Sequence, residues 1–218
     1  IERAEDFNLG RVFEIETALN TTSLGGTANQ ILLDIELGRG YRVSPNGVLF
    51  VRHILDARYG ADNDDQTLLA FQGTYYNTRF TRQTLVAHMG LDWGIGLDAS
   101  DRLLLGGDEG LRGFDSRILD GDRRFLLAFE DRVWTRRELF HLFYAGAAAF
   151  IDAGNAWGES GGPGGFGQIH ADAGVGLRFD ASRSAHGGLL RLDLAFPLAG
   201  ERSGGPAIQF SFGHGLGY

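Results

Sequence analysis

The 218-residue sequence contains no cysteine and no lysine, so all 20 of its basic residues are arginines. Without cysteine the chain can form neither disulfides nor thiolate-bound zinc sites, and thiol redox chemistry is excluded. The net charge of −8 disfavours a nucleic-acid partner, because binding phosphates requires a concentrated basic surface that these scattered arginines do not form.

Long hydrophobic runs are also missing. The most apolar stretch, residues 142–151, is only about half of the roughly 18–20 residues that a membrane-spanning helix needs. The chain does not begin with a signal peptide, because Glu2, Arg3 and Glu5 stand where an apolar segment would be required. We therefore expect a processed form or a fragment of a longer protein.

Sequence motifs for catalysis are absent as well. There is no G-x-S-x-G nucleophile elbow, no phosphate-binding P-loop and no H-E-x-x-H zinc motif. We accordingly expect no enzymatic activity, no cofactor and no metal site.

What the sequence does contain is the two-residue alternation of β-strands. In residues 85–97, Leu85, Met89 and Trp93 fall on one face, while His88 and Asp92 fall on the other. The run is longer than the five or six residues typical of soluble strands. Similar alternation marks residues 169–180, 190–196 and 208–213.

The alternation predicts about ten strands, which we place at residues 7–19, 30–40, 47–58, 66–77, 81–97, 122–133, 138–153, 168–180, 187–198 and 207–218. In the strand at 47–58, Arg52 and Asp56 interrupt the apolar face, unless the strand extends beyond the membrane or its register is shifted. Short connections, such as 134–137, alternate with longer ones, such as 98–121. Outer-membrane barrels have short periplasmic turns and long external loops, so this rhythm places the 98–121 loop on the outer side.

The two faces of these strands predict their surroundings. Aliphatic and aromatic residues share one face, whereas glycines share the other with Asp, Arg and His. A polar, crowded face suits the water-filled lumen of a barrel, and the apolar face then contacts lipid. Strands can satisfy their backbone hydrogen bonds within a membrane only in a closed barrel. The sequence therefore predicts an all-β protein, an antiparallel transmembrane β-barrel occupying residues 1–218 as a single domain.

Four segments resemble the BamA/TamA superfamily of outer-membrane assembly barrels, also called bacterial surface antigens. GGDEGLRGF at 106–114 resembles the family's R-G-F/Y motif on a loop that folds back into the lumen. FLLAFE at 125–130 is similar to the strand with an inward Glu, and AFIDAGNAW at 149–157 to the F-x-D-x-G-x-x-W strand end. The strands at 173–179 and 193–198 fit too, so the motifs cover about residues 100–218.

The resemblance implies a site around Arg112, Gly113 and Phe114. Strand alternation puts Glu130 and Asp152 on the lumen face, and the resemblance implies that these two acids hold Arg112 inside the barrel. A guanidinium in a narrow lumen prefers carboxylate partners. Phe114 would pack on the lumen wall. The alternative is that Arg112 and the two acids are separate solvated charges.

The C-terminus resembles the terminal signal of outer-membrane barrels, since Gly213, Gly215 and Gly217 alternate before a final Tyr218. Tyr218 suits an interfacial aromatic belt. The resemblance implies a weak seam, at which this last strand exchanges pairing with substrate strands. The glycines would weaken the edge, or they would simply make room in the lumen.

The family barrel is larger than this chain, so the resemblance implies that these strands are the C-terminal part of a barrel of about sixteen strands. The expected function is assembly or translocation of proteins at the bacterial outer membrane. Expected partners are outer-membrane lipids and lipopolysaccharide, client proteins, and accessory periplasmic or lipoprotein subunits. The alternatives are a dedicated secretion barrel, an anchor for an upstream passenger domain, and a passive pore.

Overall fold

The computed structural model describes residues 9–26, 28–60, 65–139, 141–158, 168–181, 188–200 and 207–214, with the backbone alone for 136, 137, 188 and 209–214. This part of the chain contains twelve strands: β1 (Arg11–Asn20), β2 (Gln30–Ser44), β3 (Gly47–Gly60), β4 (Gln66–Asn77), β5 (Gln83–Ile95), β6 (Leu103–Leu105), β7 (Leu119–Gly121), β8 (Arg123–Leu139), β9 (Phe143–Trp157), β10 (His170–Ala181), β11 (Gly188–Ala199) and β12 (Ala207–His214).

Ten of the strands form one antiparallel sheet in the order β1-β2-β3-β4-β5-β8-β9-β10-β11-β12. Strands that follow one another along the chain are therefore neighbours, and the ten strands predicted from the alternation are confirmed. The remaining two, β6 and β7, pair only with each other in the long connection between β5 and β8. Within the described residues β1 and β12 are the two ends of the sheet, which does not close on itself.

The turn predicted at 134–137 is wrong. β8 continues to Leu139, and the connection to β9 comes only at residues 140–142. The register between β8 and β9 shifts between Trp134 and Glu138, so the polar residues there are accommodated by an irregularity in the pairing. Backbone hydrogen bonds carry a strand beyond its apolar stretch, and polarity alone is therefore a poor marker of its end.

The two faces of the sheet differ as the alternation predicts. Leu91, Phe129 and Val175 are 40%, 45% and 55% exposed, and belong to the apolar outer face. Their sequence neighbours Asp92 and Glu130 are buried on the opposite, polar face. The loop between β5 and β8 covers part of this polar face, where its Arg112 binds buried carboxylates such as Glu130.

Arg52 and Asp56 do not interrupt the apolar face of β3, because the register is shifted by one residue from the one assumed. Arg52 lies on the polar face, where its Nε donates to Glu36 Oε1 at 2.7 Å from the neighbouring strand. Asp56 shares that face, and the outer face of β3 instead carries the row containing Val51 and Leu55. Among the described residues, no helix has the length and apolarity to cross a membrane.

Candidate functional site

The loop between β5 and β8 carries the candidate site at its turn. The β6–β7 ribbon forms the stem, and a short 3-10 turn, Gly107–Glu109, precedes Arg112. Leu111 has a φ of 56° and Gly110 a φ of 99°, so the backbone reverses sharply just before the arginine. The Phe114 amide donates to the Leu111 carbonyl at 3.0 Å and closes the turn. The turn thus directs Arg112 towards the sheet.

A hydrogen bond within the loop steadies its exposed side. The Ser116 hydroxyl donates to Asp108 Oδ1 at 2.7 Å. This bond is the main reason that the pKa of the Asp108 carboxyl lies below its ordinary value. The two side chains hold the 3-10 turn against the turn at Ser116 that follows Phe114.

Arg112 is bound by three carboxylates from three different strands. Its Nε donates to Asp152 Oδ2 at 2.7 Å and its Nη2 to Asp152 Oδ1 at 2.9 Å, which makes a two-point contact with β9. Its Nη1 donates to Glu130 Oε2 on β8 at 2.8 Å and to Asp193 Oδ2 on β11 at 3.2 Å. The arginine is 6% exposed. One side chain of the loop therefore ties three strands together.

Two further arginines extend this cluster, which we call the Arg112 network: Arg112, Glu130, Arg132, Asp152, Arg178 and Asp193. Glu130 Oε1 accepts hydrogen bonds from Arg132 Nε at 2.6 Å and from Arg178 Nε at 2.8 Å. Arg178 also pairs with Asp193 and is fully buried. Three cations face three carboxylates, so the network as a whole is close to neutral.

The guanidinium of Arg112 is also stacked on an aromatic ring. Its Cζ lies 3.5 Å from the centroid of Phe150, which stands two residues before Asp152 on β9. A cation over an aromatic face is favourable, and more so away from water. Phe150 thus fixes the plane in which Arg112 presents its donors to the carboxylates.

Gly113 is required by the close approach of the loop to the sheet. A Cβ at this position would lie 2.6 Å from Asp172 Cβ and 3.1 Å from the Pro197 nitrogen, both on the facing strands. The first distance is shorter than real Cβ contacts allow, and the second is tighter than most of them. Glycine therefore lets Arg112 reach its partners, and any larger residue would push the turn away from β10 and β11.

Asp172 beneath this glycine is a buried carboxylate that the network does not use. It is fully buried, and neither of its oxygens meets hydrogen-bond geometry with a partner among the described residues. The backbone amide of Gly113 nevertheless interacts favourably with the Asp172 carboxylate. Its register partner on β9 is Asp152, so the two acids lie side by side and only Asp152 is bound by Arg112.

Phe114 anchors the loop through apolar contacts. It is 5% exposed and belongs to a cluster with Leu105, Leu111 and Ala156. Its ring also packs edge-on against His170 of β10, with 5.6 Å between centroids. The loop is consequently held by apolar packing on one side of Arg112 and by ion pairs at its tip.

The structure brings the five predicted loop-site residues Arg112, Gly113, Phe114, Glu130 and Asp152 together. Of the predicted seam residues, Gly213 is in β12, paired in register with Leu189. Gly215, Gly217 and Tyr218 lie outside the described residues. In the part of the chain that the structure describes, no group of three or more His, Asp or Glu side chains is arranged to hold a metal ion.

Sequence reasoning missed Asp193, Arg178, Arg132 and Phe150. Alternation already placed Arg178 and Asp193 on the polar face, which was the available signal. A charged residue on that face can still lie anywhere along the lumen, and the register across strands decides which charges meet. No local motif marks these four residues as neighbours of Arg112.

The antiparallel sheet has an exposed apolar face and a polar face that buries an arginine-bearing loop. These features are those of a membrane β-barrel protein. The family model for the Omp85 superfamily domain matches residues 38–217, and the chain therefore belongs to the Omp85 superfamily. This superfamily comprises outer-membrane barrels of the protein assembly and translocation class. The resemblance inferred from residues 100–218 is confirmed, and the match extends it to β2. No individual curated protein matches the chain.

Proposed function

We propose that this chain is the loop-bearing, C-terminal portion of an outer-membrane barrel that inserts or translocates proteins. The observation that carries the proposal is the binding of Arg112 to Glu130, Asp152 and Asp193. A passive pore has no need for a loop anchored to three strands by buried charges. An assembly barrel does need a wall that stays in place while another part of the barrel opens.

The anchored strands form a continuous unit within the sheet. Asp152 and Asp193 are on β9 and β11, and Arg178 on β10 bridges Glu130 and Asp193. Burying such charges is costly, and the network is stable only while all partners are present. We infer that β8 to β11 form one rigid part of the barrel, and that the loop stabilises these strands from their polar face.

The ends of the sheet are the part of the molecule suited to exchange strands. Within the described residues β12 pairs with β11 on one edge, and no strand pairs with its other edge. An unpaired strand edge accepts a further strand by backbone hydrogen bonding. In our proposal the unpaired edge of β12, which contains Gly213, is the seam at which client strands pair before release.

This function requires three kinds of partner: client proteins, accessory periplasmic or lipoprotein subunits, and membrane lipids. We propose a single barrel domain, in which the edge of β1 is also paired, since an open edge is not tolerated in lipid.

The experiment that tests the proposal is depletion of the protein in its own bacterium. We expect the folded forms of many outer-membrane barrels to decrease, as measured by heat-modifiable gel mobility. Wild-type protein should restore them, and Arg112→Ala should not. Loss of one exported protein with normal barrel assembly would instead indicate a dedicated secretion barrel. Unchanged assembly and export, with steady ion conductance of the purified protein, would indicate a passive pore.

A further inference from the structure

Arg123 lies on the apolar outer face between two tryptophans. It begins β8, and the strand register places it directly between Trp93 of β5 and Trp157 of β9. Its Cζ is 4.0 Å from the centroid of the Trp93 ring. This point is at the end of the sheet where the long connections are, and there a barrel leaves the hydrocarbon for the membrane surface.

The charge of Arg123 is not balanced within the described part of the protein. No carboxylate there pairs with it, and its shielded Nε has no hydrogen-bond partner. The adjacent Arg124 makes the contrast clear. On the polar face its Nε donates to Asp92 Oδ2 at 2.6 Å and its Nη1 to the Leu104 carbonyl at 2.8 Å. Stacking on Trp93 leaves the donors at the edge of the Arg123 guanidinium for an external acceptor.

An apolar groove runs across the outer face towards Arg123. Its volume is about 580 Å³, and it extends over β2 to β5 before ending at the two tryptophans. Its apolar lining comes chiefly from Ile35, Leu37, Leu55, Leu69, Phe71 and Leu91. One row of side chains crosses β2, β3, β4 and β5, because each residue is paired in register with the next. The row consists of Ile35, Leu55, Leu69 and Trp93. Asp92 and Arg124 also line the groove at this end, and Arg123 itself does not. The strand register continues the row from Trp93 to Arg123, so the arginine adjoins the end of the groove between the two tryptophans that line it.

We infer that this groove and Arg123 form a binding site for an anionic lipid whose headgroup carries a phosphate. The phosphate accepts hydrogen bonds from Arg123, and one acyl chain occupies the groove. Trp93 and Trp157 flank the junction between headgroup and chain, which is where indole rings are favoured in membranes. A free anion would use the arginine but not the groove, and a zwitterionic lipid would use the groove but gain less from an unpaired cation.

Tryptophan fluorescence can test this site, because the chain has three tryptophans and two of them flank Arg123. A Trp134→Phe background leaves only Trp93 and Trp157. We would place the protein in phosphatidylcholine vesicles and compare quenching by brominated phosphatidylglycerol and brominated phosphatidylcholine. One arginine at an anionic surface predicts an apparent affinity about fivefold higher for the anionic lipid.

Matched variants separate the site from general membrane contact. Arg123→Gln should lose the preference, and Arg123→Lys should keep most of it. Arg39→Gln removes a second outer-face arginine, whose Cζ is 4.8 Å over the Tyr41 ring, and should leave the preference unchanged. Folding of each variant is checked by heat-modifiable mobility.

Three results would overturn the inference. The first is equal quenching by both lipids in the wild-type protein. The second is an anionic preference that survives Arg123→Gln in correctly folded protein. The third is loss of the preference when inorganic phosphate is added at matched ionic strength, which would assign Arg123 to a free anion. Retention of the preference in phosphate supports a lipid site.

Discussion

Arg112 and Asp152 form a two-point ion pair between the loop and β9, with N–O distances of 2.7 and 2.9 Å. The two residues are 40 positions apart in the sequence. Two parallel hydrogen bonds fix both the position and the plane of the guanidinium, and the Phe150 ring supports the same plane from one side. The pair therefore sets the orientation of the whole loop turn.

Replacement of Arg112 should destabilise the barrel markedly. Arg112→Ala leaves Glu130, Asp152 and Asp193 buried without this cation, and breaking a buried pair costs about 3–5 kcal/mol. Arg112→Lys should recover only part of the loss, since an ammonium cannot make the two-point contact. The free energy of unfolding in urea, measured in vesicles, reports both effects.

Arg102 of the same loop is the matched control for that experiment. Its Nη1 lies 2.7 Å from Asp120 Oδ2, but the two side chains are 28% and 38% exposed. Such partly exposed pairs contribute about 1 kcal/mol or less. A loss as large in Arg102→Ala as in Arg112→Ala would show that burial of the Arg112 network is not the cause.

The two neighbouring acids Asp152 and Asp172 should respond in opposite ways to amide substitution. Asp152→Asn turns an acceptor into a donor facing Arg112 and should lower the free energy of unfolding by about 2 kcal/mol or more. Asp172→Asn removes a buried carboxylate that Arg112 does not bind and whose oxygens do not meet hydrogen-bond geometry with any described residue, and should be neutral or stabilising. Urea unfolding of both variants makes the comparison. Equal destabilisation by the two would mean that Asp172 is bound as firmly as Asp152.

A single methyl group at Gly113 should displace the loop. The Cβ of Gly113→Ala would lie 2.6 Å from Asp172 Cβ, so the turn has to retreat from β10. Trypsin should then cut faster after the exposed Arg117 of the same loop. Gly90→Ala is the control, because a Cβ there meets only His88 Nε2 at an ordinary 3.7 Å. Similar cleavage of both variants and the wild type would contradict the requirement for glycine.

The seam proposal predicts a functional defect with little loss of stability. Changing Gly213, Gly215 and Gly217 together to Ala should strengthen the last strand edge and slow assembly of client barrels in cells. Pulse-labelled clients and their heat-modifiable mobility give the rate. Unchanged assembly would remove the sequence support for a seam, and would leave the glycines with a space-filling role.

Much of the fold follows from the alternation in the sequence. Successive side chains of a strand point to opposite faces, and each face of the sheet has its own surroundings, one apolar and one polar. Leu91 and Asp92 could be assigned to opposite faces without a structure. The same rule misassigned Arg52, where apolar residues stand on both faces of β3 and the period alone leaves two registers open. It also ended β8 too early, at a polar run that the hydrogen-bond ladder simply continues through.

The family resemblance and the polar-face positions of Glu130 and Asp152 were accessible from the sequence, as was the expectation that both acids bind Arg112. The sequence by itself thus determined the strands, their faces and the presence of an arginine between glycines on a long loop. Only the tertiary structure decided which charges meet. Asp152 and Asp172 have the same character and lie on the same face, but the turn at Leu111 directs Arg112 to one of them. The partners are joined by register across strands and by the path of the loop, and both depend on contacts between residues far apart in the chain.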